Sequence, residues 1–133
     1  MRTYLVDTSL WIEFFAGSPK GIRARAYLFK ADALITHSLV MGELRKVYSV
    51  EGRSREEFER DVVSVRSMST ILEDLPVDIA TEAGRTRADP PHPNMGLIDC
   101  LLLAIARSRR ACKVLTCDSQ FRGLKEALVV GGP

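Results

Sequence analysis

A chain of 133 residues, 46% hydrophobic and 27% charged, is long enough for one domain with its own core and too apolar to stay disordered. Its formal net charge of +2 excludes any argument for nucleic-acid binding from charge alone. Cys100, Cys112 and Cys117 are odd in number and lack a C-x-x-C pair, which argues against a disulfide framework or a zinc site and for buried thiols in a reducing compartment. No apolar run reaches membrane-spanning length, and Arg2 and Asp7 leave no room for a secretory apolar region, so a cytoplasmic protein without membrane association is expected.

Thr3 to Val6 is a short β-prone run that stops at Asp7 and reads as a buried strand. Thr8 and Ser9 are candidate caps for a helix carrying Leu10, Trp11, Phe14 and Phe15, which Gly17, Ser18 and Pro19 end. A second helix is predicted over Ile22 to Lys30 and a second strand over Ala33 to Thr36. Ser38 is then the candidate cap of a helix ending near Val50. Ser54 and Glu57 have capping-box spacing, and Phe58, Val62, Val65 and Met68 follow at helical spacing. A third strand falls within Ile71 to Val77, and Asp78 can cap the next helix. The Pro90-Pro91-His92-Pro93 stretch breaks the chain. Leu97 to Ala106 is apolar almost all round except at Asp99, the mark of a buried helix. Cys112 to Thr116 reads as a fourth strand, Ala127 to Val130 as a fifth, and the tail from Gly131 as frayed. Strands alternating with helices predict one α/β domain over residues 1–133, a mostly parallel sheet of about four or five strands with helices on both faces.

Four acids stand in unusual settings. Asp7 and Asp118 each follow the carboxyl end of a predicted strand, where open parallel sheets bind ligands. Glu43 has Leu39 and Val47 one turn away on either side, and Asp99 sits inside Leu97-Ile98-Asp99-Cys100-Leu101. Each has an ordinary alternative: Asp7 and Asp99 as helix caps, Glu43 as a boundary residue paired with Arg45 or Lys46, Asp118 as a turn residue. Together they point to carboxylates converging at one sheet edge. Such a cluster repels itself unless a cation compensates, and oxygen-only donors favour Mg2+ or Mn2+ over zinc. That donor set selects phosphodiester hydrolysis by a cation-activated water.

The segments Tyr4-Leu5-Val6-Asp7-Thr8-Ser9-Leu10-Trp11-Ile12, Thr36-His37-Ser38-Leu39-Val40-Met41-Gly42-Glu43-Leu44, Leu97-Ile98-Asp99-Cys100-Leu101-Leu102-Leu103-Ala104-Ile105-Ala106 and Val114-Leu115-Thr116-Cys117-Asp118-Ser119-Gln120-Phe121 resemble the PIN-domain family, and within it the VapC-type toxin branch. The resemblance covers almost the whole chain. It implies a three-layer PIN-like sandwich and a Mg2+- or Mn2+-dependent endoribonuclease, the toxin of a type II (VapBC-type) toxin-antitoxin system. It places the family's acids at Asp7, Glu43, Asp99 and Asp118, and supporting hydroxyls at Thr8, Ser9 and Thr116. It also implies an RNA substrate, a homodimer and a cognate antitoxin. The residues around Asp99, with Leu97, Ile98 and Cys100, depart from the family's usual small or charged ones.

The pairs Arg23 and Arg25, Arg45 and Lys46, Arg53 and Arg55, and Arg85 and Arg87 are candidate phosphate contacts, each also readable as a solvated helix face. His37 and His92 read as structural or surface residues rather than bases. Trp11, Phe14, Phe15, Tyr27, Leu28 and Phe29 form an apolar excess in the first two helices, from which a dimer surface is expected. Competing readings are a PIN-like nuclease of RNA maturation, an inactive RNA- or partner-binding module, and a phospho-aspartate phosphatase. The last needs a second acid where Ser9 stands.

Overall fold

The short apolar runs pair into one sheet because each is too brief and too fully buried to satisfy its backbone any other way. In the computed structural model, which describes residues 2–131, the strands β1 (Thr3–Val6), β2 (Ala33–His37), β3 (Thr70–Leu72), β4 (Cys112–Thr116) and β5 (Ala127–Val129) lie in the order β3–β2–β1–β4–β5. Every pairing is parallel, with Leu5 opposite Ile35 on one side and Val114 on the other. The helices are α1 (Thr8–Ala16), α2 (Pro19–Lys30), α3 (Ser38–Val50), α4 (Arg55–Met68), α5 (Val77–Ala88) and α6 (Leu97–Ser108), with a 3-10 turn at Ser119–Phe121.

This order fixes the layers. The chain steps one way from β1 through β2 to β3, then returns past β1 to β4. Parallel crossovers are right-handed, so the reversal sends α5 and α6 to the face opposite α1 to α4. The packing agrees: α1 lies on α2 and α3, α3 on α4, and α5 on α6. The order switches at β1, whose neighbours β2 and β4 leave it by opposite routes. The carboxyl ends of β1 and β4 therefore flank the crevice such sheets offer to ligands.

The core follows the apolar pattern. Leu5, Val6, Val114 and Leu115 are fully buried, and every residue from Cys100 to Ala106 in α6 is buried. Across the first face, Trp11 is buried and donates from Nε1 to Thr36 Oγ1 at 3.2 Å. The α3–α4 pair is pinned by Tyr48, whose hydroxyl donates to the buried Asp61 at 2.5 Å under the Arg53 guanidinium. The contact between α1 and α2 depends on Gly21, where a Cβ would stand 1.9 Å from the Glu13 carbonyl oxygen. Gly21→Ala must push the two helices apart, and a loss of about 3 kcal/mol is expected. Urea unfolding checks it; an unchanged midpoint would show that the helices are not held at this distance.

Several local expectations are corrected. α3 is capped by His37, not Ser38: His37 Nδ1 accepts from Leu39 N at 3.1 Å, while Nε2 lies 2.9 Å from the Asp74 carbonyl oxygen and donates to it. Neither Thr8 nor Ser9 caps α1, because both side chains are used elsewhere. Pro76 precedes α5, which leaves Asp78 in the first turn. Ser54 does cap α4 by accepting from Glu57 N, but the Glu57 carboxylate turns to Arg53. The apolar excess of α1 and α2 is largely consumed within the chain: Trp11 and Leu28 are buried and Phe14 and Phe15 pack on the core, leaving Ile22, Tyr27 and Phe29 exposed. The frayed tail was expected over residues of which 132 and 133 lie outside the described ones. Gly131 is described, and its carbonyl accepts from Arg23 at 3.1 Å. Among the described residues no helix is long and apolar enough to cross a membrane.

Candidate metal centre

The end of β1 is locked before its carboxylate is considered. Asp7 N donates to Leu115 O of β4, and Asp7 O accepts from Leu10 N and Trp11 N to begin α1. The backbone of Asp7 thus starts the helix, while its side chain makes no capping bond. The side chain is buried and one oxygen, Oδ2, accepts two hydroxyls, Ser9 Oγ and Thr116 Oγ1, both at 2.7 Å. Those hydroxyls are oriented in turn. Ser9 Oγ accepts from Cys117 N at 3.1 Å, and Thr116 Oγ1 accepts from Asp118 N at 2.9 Å. Each hydroxyl hydrogen is committed to Asp7, so the 3.0 Å approach of Ser9 Oγ to Thr116 Oγ1 is a contact rather than a third hydrogen bond. Oδ2 is fixed by these two hydroxyls, and the Thr8 backbone N–H also donates to the carboxylate.

Glu43, on the second turn of α3, is half-buried and accepts from Thr8 Oγ1 at 2.6 Å. Asp99 lies in the first turn of α6 and accepts from Gly96 N through Oδ2 at 2.9 Å, so its ordinary reading as a cap is also correct. Asp118 accepts from Gln120 N through Oδ1 at 2.9 Å and starts the 3-10 turn. Asp99 and Asp118 therefore each spend one oxygen on a backbone N–H and keep the other.

Electrostatics brings the four together. Burial raises the Asp7 carboxyl above its ordinary value; the Thr116 and Ser9 hydroxyls oppose this and the charge of Glu43 adds to it. Burial also pushes Asp99 up to about 6, against the Gly96 N–H, with Asp7, Asp118 and Glu43 all contributing. Asp99 thus feels the other three acids. None of the four forms an ion pair with a lysine, arginine or histidine among the described residues.

Among the described residues no three acidic, histidine or cysteine side chains stand close enough to form a ready-made cage. The four carboxylates are oxygen donors, the ligand type that hard divalent cations take. This donor set does not suit zinc: His37 spends both ring nitrogens, and burial first of all pushes the Cys117 thiol up to about 11.

Thr116 was read from the sequence only as a nearby hydroxyl; the structure gives it two hydrogen bonds at the centre of the arrangement. Thr116→Val keeps the shape but removes both, leaving Asp118 N unsatisfied and the Asp7 carboxyl further raised. A stability loss of about 1–2 kcal/mol is expected, together with weaker Mn2+ binding by calorimetry. Unchanged binding would show that Asp7 needs no hydroxyl to hold its orientation.

The candidate phosphate contacts divide. Arg53, Arg55 and Arg85 are engaged by Glu57, Glu59 and Glu82, while Arg25 and Arg45 lie over Phe29 and Phe58. His92 is half-buried, with Nε2 3.4 Å from the Arg122 carbonyl oxygen, so it ties the proline-rich loop to the segment after Asp118. Lys20 and Arg122 beside the site carried no sequence signal, because each stands alone in the chain.

No curated protein sequence matches the chain. Among solved structures, it is similar to the sarcin-ricin-loop-cleaving toxin VapC20 of Mycobacterium tuberculosis, at 18% identity and TM-score 0.76 over 96% of this chain and 99% of that one. It is similar to a chain of a toxin-antitoxin complex from Klebsiella pneumoniae, at 18% identity and TM-score 0.70 over 97% of each. It is also similar to a chain of a DNA-bound VapBC of Salmonella typhimurium, at 24% identity and TM-score 0.62 over 97% of each. These likenesses show a shared fold. The PIN domain family model matches residues 4–127, nearly the whole described chain, with the strand-end acids at both limits of the fold's central pair. The chain belongs to the PIN domain family.

Proposed function

We propose that the chain is a divalent-cation-dependent endoribonuclease, the toxin of a type II toxin-antitoxin pair. In this reading Asp7, Glu43, Asp99 and Asp118 hold Mg2+ or Mn2+ directly or through its waters, and Thr8, Ser9 and Thr116 orient the carboxylates. The observation that carries it is Asp7: a carboxylate buried at a strand end, with one oxygen fixed by two hydroxyls and no ion pair to a basic side chain among the described residues. Bound there, a divalent cation supplies Lewis acidity to water and to a phosphodiester. The four acids supply negative charge without competing cations, and the hydroxyls keep Asp7 aimed. The toxin assignment draws on the likeness to a toxin-antitoxin complex of Klebsiella, the toxin VapC20 of Mycobacterium and a VapBC of Salmonella. An antitoxin with a basic side chain matches a site that is all acid.

The test is incubation of the purified protein with a mixed RNA pool, with Mn2+ or with chelator, followed by mapping of the cut ends. Defined cuts that need Mn2+ are expected, and no cleavage under either condition overturns the reading. Expression in a bacterial host without its antitoxin is expected to arrest growth; normal growth with an RNA-active protein would leave a nuclease of RNA maturation. A homodimer completes the proposal. Leu39, Leu75 and Leu97 are exposed around a small apolar groove of about 90 Å3, and Ile22, Tyr27 and Phe29 of α2 are exposed as well. Light scattering should report a dimer that Leu97→Asp dissociates; a monomeric parent removes it.

A further inference from the structure

On the β4 side of the acids lies a cleft of opposite charge. It is an open hollow of about 500 Å3 between α1, the start of α2 and the segment after the 3-10 turn, lined by Glu13, Lys20, Arg23, Arg122 and Gly131 among others. Among the described residues its lining sets Lys20, Arg23 and Arg122 beside one carboxylate, and that carboxylate is turned inward: Glu13 Oε2 accepts the Ser18 hydroxyl, which in turn accepts from Gly21 N to cap α2. Arg23 is anchored by donating from Nη2 to Gly131 O at 3.1 Å. The Lys20 stem packs on Gly131, where a Cβ would meet its Cγ at 2.9 Å, and among the described residues Lys20 forms no ion pair. Its ammonium is thus held at the cleft by its own hydrocarbon.

The cleft is continuous with the acids. Glu13 is one helical turn from Ser9, which bonds Asp7, and Arg122 is four residues past Asp118. An all-acid centre repels a polyanion, so a nucleic acid needs attraction beside it to stay in place. The volume falls in the range of roughly 300–1,000 Å3 typical of small-ligand sites.

Resting on the ribonuclease reading above, we infer that the cleft lined by Lys20, Arg23 and Arg122 holds a backbone phosphate of the RNA next to the one at the acids. It fixes the strand's path from the carboxylates towards α2. Lys20 and Arg122 are positioning residues: they hold the strand and take no part in bond breaking.

The test uses full-length protein made inactive by Asp7→Asn and a labelled pool of short single-stranded RNA, read by fluorescence anisotropy across a salt series. Lys20→Ala is expected to weaken binding about threefold and Lys20→Glu about tenfold, and the slope of log affinity against log salt should shrink by about 0.7 for the lost contact. Arg66→Ala, at the far end of α4, should change neither. In the active protein Lys20→Ala should raise KM and leave kcat within about twofold. Unchanged affinity and slope in folded Lys20→Glu overturn the inference, and so does a Lys20 variant that loses only binding of an acidic peptide. If the parent binds RNA through Lys20 yet never cuts it, the catalytic reading fails and the cleft stands. If it cuts with KM indifferent to Lys20, the cleft fails alone.

Discussion

Asp7→Asn is expected to abolish RNA cleavage, by at least about 10²-fold, while the protein stays folded and becomes more stable without cation. The reasons for the two effects differ. The Asn side-chain oxygen can still accept the Ser9 and Thr116 hydroxyls that now meet at Oδ2, so the β1–β4 join survives. What disappears is a buried charge that burial and Glu43 both disfavour. Removing it should raise stability by about 1–2 kcal/mol in chelator. The same change lowers the negative charge available to a cation and puts an amide where Oδ1 stood, so Mn2+ binding should weaken sharply. Denaturant unfolding in chelator, Mn2+ calorimetry and the cleavage assay separate these effects. A variant that unfolds would make Asp7 chiefly structural. One that cuts as well as the parent would remove Asp7 from the chemistry altogether.

Chelated protein should lose stability as pH rises from 5 to 7, and a divalent cation should reverse the trend. Asp99 titrates at about 6 in the folded chain against an ordinary 3.8, and Asp7 is also raised. The folded state therefore binds more protons than the unfolded state from about pH 3.8 up to the folded pKa values, and stability falls as pH climbs through that window. Glu57 and Glu82 act the other way: hydrogen bonds from Arg53 and Arg85, above all, lower them, so they lose stability only as pH falls below the ordinary glutamate range. Between pH 5 and 7 the raised acids set the trend. A cation at one hundred times its Kd adds about 2.7 kcal/mol, worth roughly 10 °C in melting temperature for a chain of this size. The gain should be larger at pH 7, where the acids no longer need to shed protons to bind it. Melting curves at pH 5, 6 and 7 with and without Mn2+ would show this. Stability that climbs with pH in chelator, or an equal cation effect at pH 5 and 7, would mean that the four acids do not share a cation.

Much of this chain was legible from local pattern. The apolar runs ending at Asp7 and Asp118 give β1 and β4, the almost wholly apolar Leu97 to Ala106 stretch gives a buried helix, and strand–helix alternation gives a parallel sheet with helices on both faces. These features depend on periodicity and length, which a sequence carries explicitly. The strand-end positions of Asp7 and Asp118 follow from the same signal. Caps were less legible, since Ser, Thr, Asp and His can each supply an acceptor and tertiary demand chooses among them. Ser9 was drawn to Asp7, Thr8 to Glu43, and His37 took the cap of α3 because it also reaches Asp74. Which aromatic residues of α1 and α2 stay exposed was not legible, because composition counts them without saying which neighbour covers them: Trp11 stacks on Phe15 and meets Phe14 edge-on, while Tyr27 and Phe29 remain exposed. Sequence by itself determined the elements, their alternation and the types of residue at the strand ends. Only the tertiary structure decided that Thr116, 109 residues from Asp7, shares its carboxylate, that Asp99 feels the other three acids, and that Lys20 and Arg122 line one cleft. Those relations arise where β1 and β4 pair across most of the chain's length, and residues so far apart leave no pattern in the sequence between them.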